Sequence, residues 1–100
     1  MTRIETLLSL IKAWHRDRGL IDNSTDLAQF AKLVQEVGEL SDNICKGKDI
    51  KDDIGDIMVV LINIAERNGV TILECLDTAY NDIKDRKGFM TPEGVFVKEV

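Results

Sequence analysis

Two short acidic motifs in this chain have the residue types and spacing to do chemistry. Glu36-Val37-Gly38-Glu39 and Asp53-Ile54-Gly55-Asp56 each set two carboxylates three residues apart, with a glycine just before the second. On a helix, residues i and i+3 share a face, so each motif offers a paired acidic edge. Lys32 and Asn43 fall on the stripe of Glu36 and Glu39, and Asp49 lies on the side of Asp53 and Asp56. Two adjacent helices of this kind bring four carboxylates to one point. Hard cations take such oxygen ligands, and Mg²⁺ in particular binds carboxylates, waters and substrate phosphates. Neither motif contains Cys or His, so zinc or copper chemistry is not indicated. Periodicity alone favours a solvated helix face for the Glu36–Glu39 pair, because these acids lie opposite an apolar stripe. The glycines weigh the other way. A mid-helix glycine costs about 0.5–1 kcal/mol relative to alanine, a cost that close helix approach would offset. On residue pattern alone the two readings are level.

The acidity is local. The 100 residues carry 18 Asp+Glu against 13 Lys+Arg, a net charge of −5. Residues 36–56 hold seven of those acids and three bases, net −4, so the rest of the chain is close to neutral. Like charges at that density must be separated, solvated or bridged by a cation. An acidic chain with no basic cluster is a poor match for nucleic-acid phosphates. The longest apolar run, Ile57–Ile62, has six residues, where about 20 are needed to cross a bilayer. Neither nucleic acid nor membrane is therefore expected as a partner. Cys45 and Cys75 are 30 residues apart, and the N-terminal residues lack the layout of a signal peptide. Reduced thiols and a cytoplasmic location are the expectation.

Helices must position these motifs. A single domain over residues 1–100 is expected, with apolar residues at helical spacing in four stretches: Ile4 to Trp14, Leu27 to Ile44, Ile50 to Ala65 and Ile72 to Ile83. The spacing predicts helices near 3–18, 25–46, 50–68 and 72–87. Thr2 with Glu5 and Thr71 with Glu74 fit the capping box, while Asp22, Asn23 and Ser24 offer caps for the second helix and Asp49 for the third. Gly19, Gly47, Gly69 and Gly88 are placed as C-terminal caps. Beyond Gly88, residues 89–94 around Pro92 read as a turn and Val95–Val97 as a short extended segment. Val59 to Ile62 are consecutive apolar residues that cover a helix on every side, so this stretch must be enclosed. A second subunit is the economical cover, with a strand as the alternative reading. Trp14 closes the apolar stripe of the first helix as a core or interface residue, and His15 reads as a surface residue.

Taken together these residues resemble the MazG-like all-α nucleoside triphosphate pyrophosphohydrolases. The likeness runs from Lys32 to Ala65, through Lys-Leu-Val-Gln-Glu-Val-Gly-Glu-Leu and Asp-Asp-Ile-Gly-Asp-Ile-Met-Val-Val-Leu-Ile. The ending, Ala79 to Gly88 and Gly94 to Glu99, is similar to short phage-type members. The resemblance implies a four-helix bundle with a short extended C-terminal tail, assembling through helix–helix contacts as a homodimer or dimer of dimers. It implies Mg²⁺-dependent conversion of an NTP or dNTP to the monophosphate and pyrophosphate, with Mn²⁺ as a substitute metal. Glu36, Glu39, Asp53 and Asp56 are then the metal ligands, and Glu36 or Glu39 the general base. Lys32, Asn81, Lys84 and Trp14 are candidate substrate contacts, Trp14 by stacking on a base, with Arg86 and Lys87 nearby. One position departs from the family pattern: its second motif usually begins with Glu, and Asp53 is one methylene shorter. A non-catalytic adaptor or a nucleotide-sensing regulator that keeps the fold is the alternative.

Overall fold

The amphipathic stretches become four helices, α1 (Arg3–Asp17), α2 (Asp26–Cys45), α3 (Lys51–Arg67) and α4 (Ile72–Ile83), followed by strands β1 (Gly88–Met90) and β2 (Phe96–Lys98). The structure, a computed structural model, describes residues 1–99; Val100, the end of the expected domain, lies outside them. The all-α expectation holds.

Local chemistry explains the boundaries. At α4 the capping box is complete: the Thr71 hydroxyl accepts from the Glu74 amide, and the Glu74 carboxylate accepts from the Thr71 amide. Thr2 makes half of one at α1, accepting from the Glu5 amide while its hydroxyl donates to the Glu5 carboxylate. Thr25, and none of the three residues before it, caps α2, accepting from the Ala28 amide at 3.1 Å. Ser24 accepts from the Gln29 side chain instead. Gly19, Gly47 and Gly69 end the first three helices with φ between +66° and +71°, the left-handed region that glycine enters without strain.

Gly88 is not a cap. α4 stops at Ile83, and Gly88 opens a hairpin in which it pairs with Lys98, Phe89 with Val97 and Met90 with Phe96. The turn is closed by the Thr91 amide on the Val95 carbonyl at 2.8 Å, with Gly94 at φ +88°. The expected single extended segment is therefore one strand of a pair, and part of the expected turn is the other. Strand pairing satisfies these backbone groups, which a lone tail would leave to water.

α3 is the central element. It packs against α2 as a helical hairpin across the loop 46–50, and α1 and α4 each lie on α3, with no α4 contact to α1 or α2 among the described residues. Val60 and Ile62 are buried, with Ala65, and Val59 and Leu61 are partly covered. The strand alternative for this run is excluded, and enclosure is incomplete within one chain. Asn63 and Arg67, further along α3, donate to the α1–α2 loop at the carbonyls of Leu20, Ile21 and Ser24.

The surface is large for the mass. The accessible area is 7653 Å², against about 5,700 Å² for a folded monomer of this size. The radius of gyration is 16.3 Å, where about 13 Å is typical of 100 residues. Much of the excess is apolar: Leu73, Leu76, Tyr80 and Ile83 of α4 and Phe30, Val34 and Val37 of α2 are exposed.

Candidate metal centre

The acidic edges of α2 and α3 meet where the hairpin closes. Glu36, Glu39 and Asp56 each offer a carboxylate oxygen within 4.8 Å of the other two. Glu36 is 7% exposed, and its Oε2 is buried with no hydrogen-bond partner. A buried carboxylate oxygen in that state is costly unless a donor or cation reaches it. The other oxygen, Oε1, lies 3.2 Å from the Lys32 ammonium.

Charge crowding shows in proton affinity. The Glu39 carboxyl is held above its ordinary range, chiefly by hydrogen bonding and repulsion from Glu36, with Lys32 opposing. Asp56 is raised too, first by burial and then by repulsion from Asp52, Glu36 and Asp53. For Glu39 the cause is its acidic neighbour, and for Asp56 burial comes first with the acidic neighbours adding to it. An all-oxygen donor set with one orphaned buried oxygen fits a hard divalent cation such as Mg²⁺ or Mn²⁺.

Asp53 stands outside these three. It is buried, and both its oxygens accept from Asn43 Nδ2, at 3.1 and 2.9 Å. The shorter side chain is thus engaged by an amide across the α2–α3 interface. Asn43 was visible on the acidic stripe, but its role as a clamp was not. Asp49 turns to its own backbone, accepting from the Lys51 amide at 3.0 Å. The glycines also behave differently from expectation. A Cβ built on Gly38 or Gly55 meets nothing within 4 Å, and both residues are exposed. Close approach of α2 and α3 therefore does not explain them.

A cleft of about 350 Å³ runs from the cluster toward α1, bounded by Glu36, Asp56, Lys32, Leu20, Trp14 and His15. A second hollow of about 390 Å³ lies against Trp14, reaching Asp56, Val59, Leu10 and Ile11. Trp14 thus borders both. It is 44% exposed, with the Arg18 guanidinium 4.5 Å from its ring centroid. His15, expected at the surface, is 2% exposed and packs edge-on to Trp14. Burial holds its imidazole below the usual range, with Glu66 pulling partly back, so it is neutral at pH 7. The signal was present in the sequence, because His15 follows Leu8 and Ile11 by seven and four residues on the apolar face.

Asn81 and Lys84 are not brought to the cluster within one chain. They lie on α4 and at its end, and α4 touches α3 alone among the described residues. Arg86 pairs with Asp82 at 2.9 Å and, with Lys87, borders an open hollow beside the hairpin.

Fold and site define an all-α protein whose central helical hairpin gathers three carboxylates beside a mostly apolar cleft. Residues 24–89 match the MazG nucleotide pyrophosphohydrolase domain, and the chain belongs to that family of hydrolases. It is 40% identical over 77 residues to an uncharacterized 18.2 kDa protein from the rep-hol intergenic region of Haemophilus phage HP1 (strain HP1c1). That match covers 74% of this chain and 47% of the relative, so the chain spans about half the relative's length. In fold it is similar to the MazG-like pyrophosphohydrolase of cyanophage S-2L, solved with dGDP and three catalytic Mn²⁺ ions per active site. The TM-score is 0.73 with 17% identity over the whole of both chains.

Proposed function

We propose that the protein hydrolyses a nucleoside triphosphate, ribo- or deoxyribo-, to the monophosphate and pyrophosphate with Mg²⁺, Mn²⁺ serving in its place. The observation that carries this reading is the meeting of Glu36, Glu39 and Asp56 within 4.8 Å, one Glu36 oxygen buried and unpartnered. The cluster opens on a cleft of about 350 Å³, within the range of small-molecule sites. Glu36, Glu39 and Asp56 would hold the metal, and Asp53, fixed by Asn43, adds negative charge behind them and reaches it only through water. When bound, the metal offsets the triphosphate's charge and lowers the pKa of a water. Glu39, the exposed member, is the better placed general base, because Glu36 is buried and engaged by Lys32. Lys32 faces the cleft and can turn from Glu36 to a phosphate. Trp14 offers a flat apolar surface to the nucleobase and, with Val59 and Val60, excludes water. A cytoplasmic setting, where nucleotides and Mg²⁺ coexist, belongs to the same reading.

Self-association is part of the proposal. The surplus surface of about 2,000 Å² over a typical monomer is on the scale of an obligate interface, and the exposed face of α4 carries Leu73, Leu76, Tyr80 and Ile83. A second copy docking there would cover this face and supply Asn81 and Lys84 to a neighbouring cleft. Leu76→Asp should therefore turn an oligomer into a monomer by light scattering and cut turnover with it. An unchanged mass would remove α4 from the interface.

The direct test is a pyrophosphate-release screen over common ribo- and deoxyribonucleotides. Turnover of at least one with Mg²⁺ is expected. Saturable nucleotide binding with no release in Mg²⁺ or Mn²⁺ would instead make the protein a sensor.

A further inference from the structure

Outside the carboxylate cluster, two polar side chains of α3 serve one loop. Asn63 is fully buried on α3, and its Nδ2 donates to the Leu20 carbonyl at 3.0 Å. One turn on, Arg67 donates to the carbonyls of Ile21 and Ser24, the latter at 2.7 Å, and to the Asp26 carboxylate at 2.9 Å. Leu20 is tied on its other side too, its amide donating to the His15 carbonyl at 2.9 Å. Carbonyls in a surface loop can be satisfied by water. Here α3 reaches out to them with two side chains, Asn63 fully buried and Arg67 partly so. What the arrangement fixes is Leu20, whose side chain forms a wall of the cleft that Glu36 and Asp56 also bound.

We infer that Asn63 and Arg67 are positioning residues for nucleotide recognition: they fix the α1–α2 loop so that Leu20 stands as a rigid wall of the cleft beside the carboxylate cluster. The inference rests on the nucleotide reading above. Asp56 lies on the same helix as Asn63, seven residues before it, or about 10 Å along the axis. A single rigid helix thus sets the spacing between the cluster and the wall. The nucleoside half of a ligand, and not its phosphates, should feel the loss of the clamp.

Calorimetry in Mg²⁺ separates the halves, using the four deoxynucleoside monophosphates and inorganic pyrophosphate as probes. Asn63→Leu keeps the size but removes the donor, and Arg67→Lys keeps the charge but loses the planar fork. Each is expected to weaken monophosphate binding about tenfold, the scale of one net hydrogen bond, and to leave pyrophosphate binding unchanged. Ile62→Val, a core change on the same helix, should alter neither. Equal weakening of both probes, or of neither, overturns the inference. If a variant does not fold, amide exchange in the unmodified protein decides. The Leu20 and Asn23 amides should be slowed by a bound monophosphate and not by pyrophosphate, and an equal response to both overturns the inference. A protein that binds monophosphates in this way yet releases no pyrophosphate from any triphosphate sinks the hydrolase reading and leaves the clamp standing.

Discussion

Glu39→Gln is expected to lower Mg²⁺-dependent pyrophosphate release by more than about 100-fold, beyond the range usual for residues one shell removed from a metal. The substitution is nearly isosteric and falls on an exposed residue, so packing should not suffer. It removes one of three negative charges that meet within 4.8 Å. It also removes the group assigned to take up the proton from the attacking water. In the metal-free protein the effect on stability should run the other way. Glu39 has raised proton affinity because Glu36 hydrogen-bonds to and repels it, and an uncharged amide relieves that repulsion at neutral pH. Its N–H can also donate to the Glu36 oxygen that now lacks a partner. Lower turnover with an equal or higher melting temperature in EDTA would separate a role in chemistry from a role in folding. Turnover within tenfold of the unmodified protein would remove Glu39 from the mechanism.

The second large effect is on stability. A ligand that binds only the folded state at 100 times its Kd stabilises it by about 2.7 kcal/mol. For a domain of this size that corresponds to roughly 10–20 °C in Tm. Mg²⁺ should therefore raise the melting temperature by this order, read at fixed protein concentration because self-association also contributes. A sodium chloride control at matched ionic strength isolates specific binding from screening. Asp56→Asn should remove most of the shift. Asp42→Asn should not, because Asp42 is exposed and paired with Lys46 at 2.7 Å, outside the cluster. A Mg²⁺ shift no larger than the salt control would leave the acidic stripe as a solvated face.

Much of this architecture could be read from residue order, for identifiable reasons. Each helix carries an apolar stripe long enough to fix its period, and Thr71 with Glu74 and the three left-handed glycines mark ends by local chemistry alone. Where the structure departs from the residue pattern, the reasons differ. Gly88 has the composition of a cap, yet it joins a ladder with Lys98. Asp53 looks equivalent to Asp56 by spacing, but Asn43 on the facing helix captures it. His15 was placed outside because its type is polar, although its position on the wheel is apolar. Gly38 and Gly55 drew an explanation from helix approach that the open space around them does not support. Asn81 and Lys84 lie on and just after α4, which touches α3 alone among the described residues.

The carboxylates that meet across α2 and α3 are joined by a single short loop, with Glu36 and Asp56 only twenty residues apart. Hairpins of such local contacts form early when a chain folds. Closing that hairpin gathers the most concentrated negative charge in the molecule, whatever the order in which α1 and α4 dock. A cation that binds during this closure shows in the folding rate only as far as the hairpin is closed at the transition state. In the cation's absence, the chain has to shut this hairpin against its own repulsion.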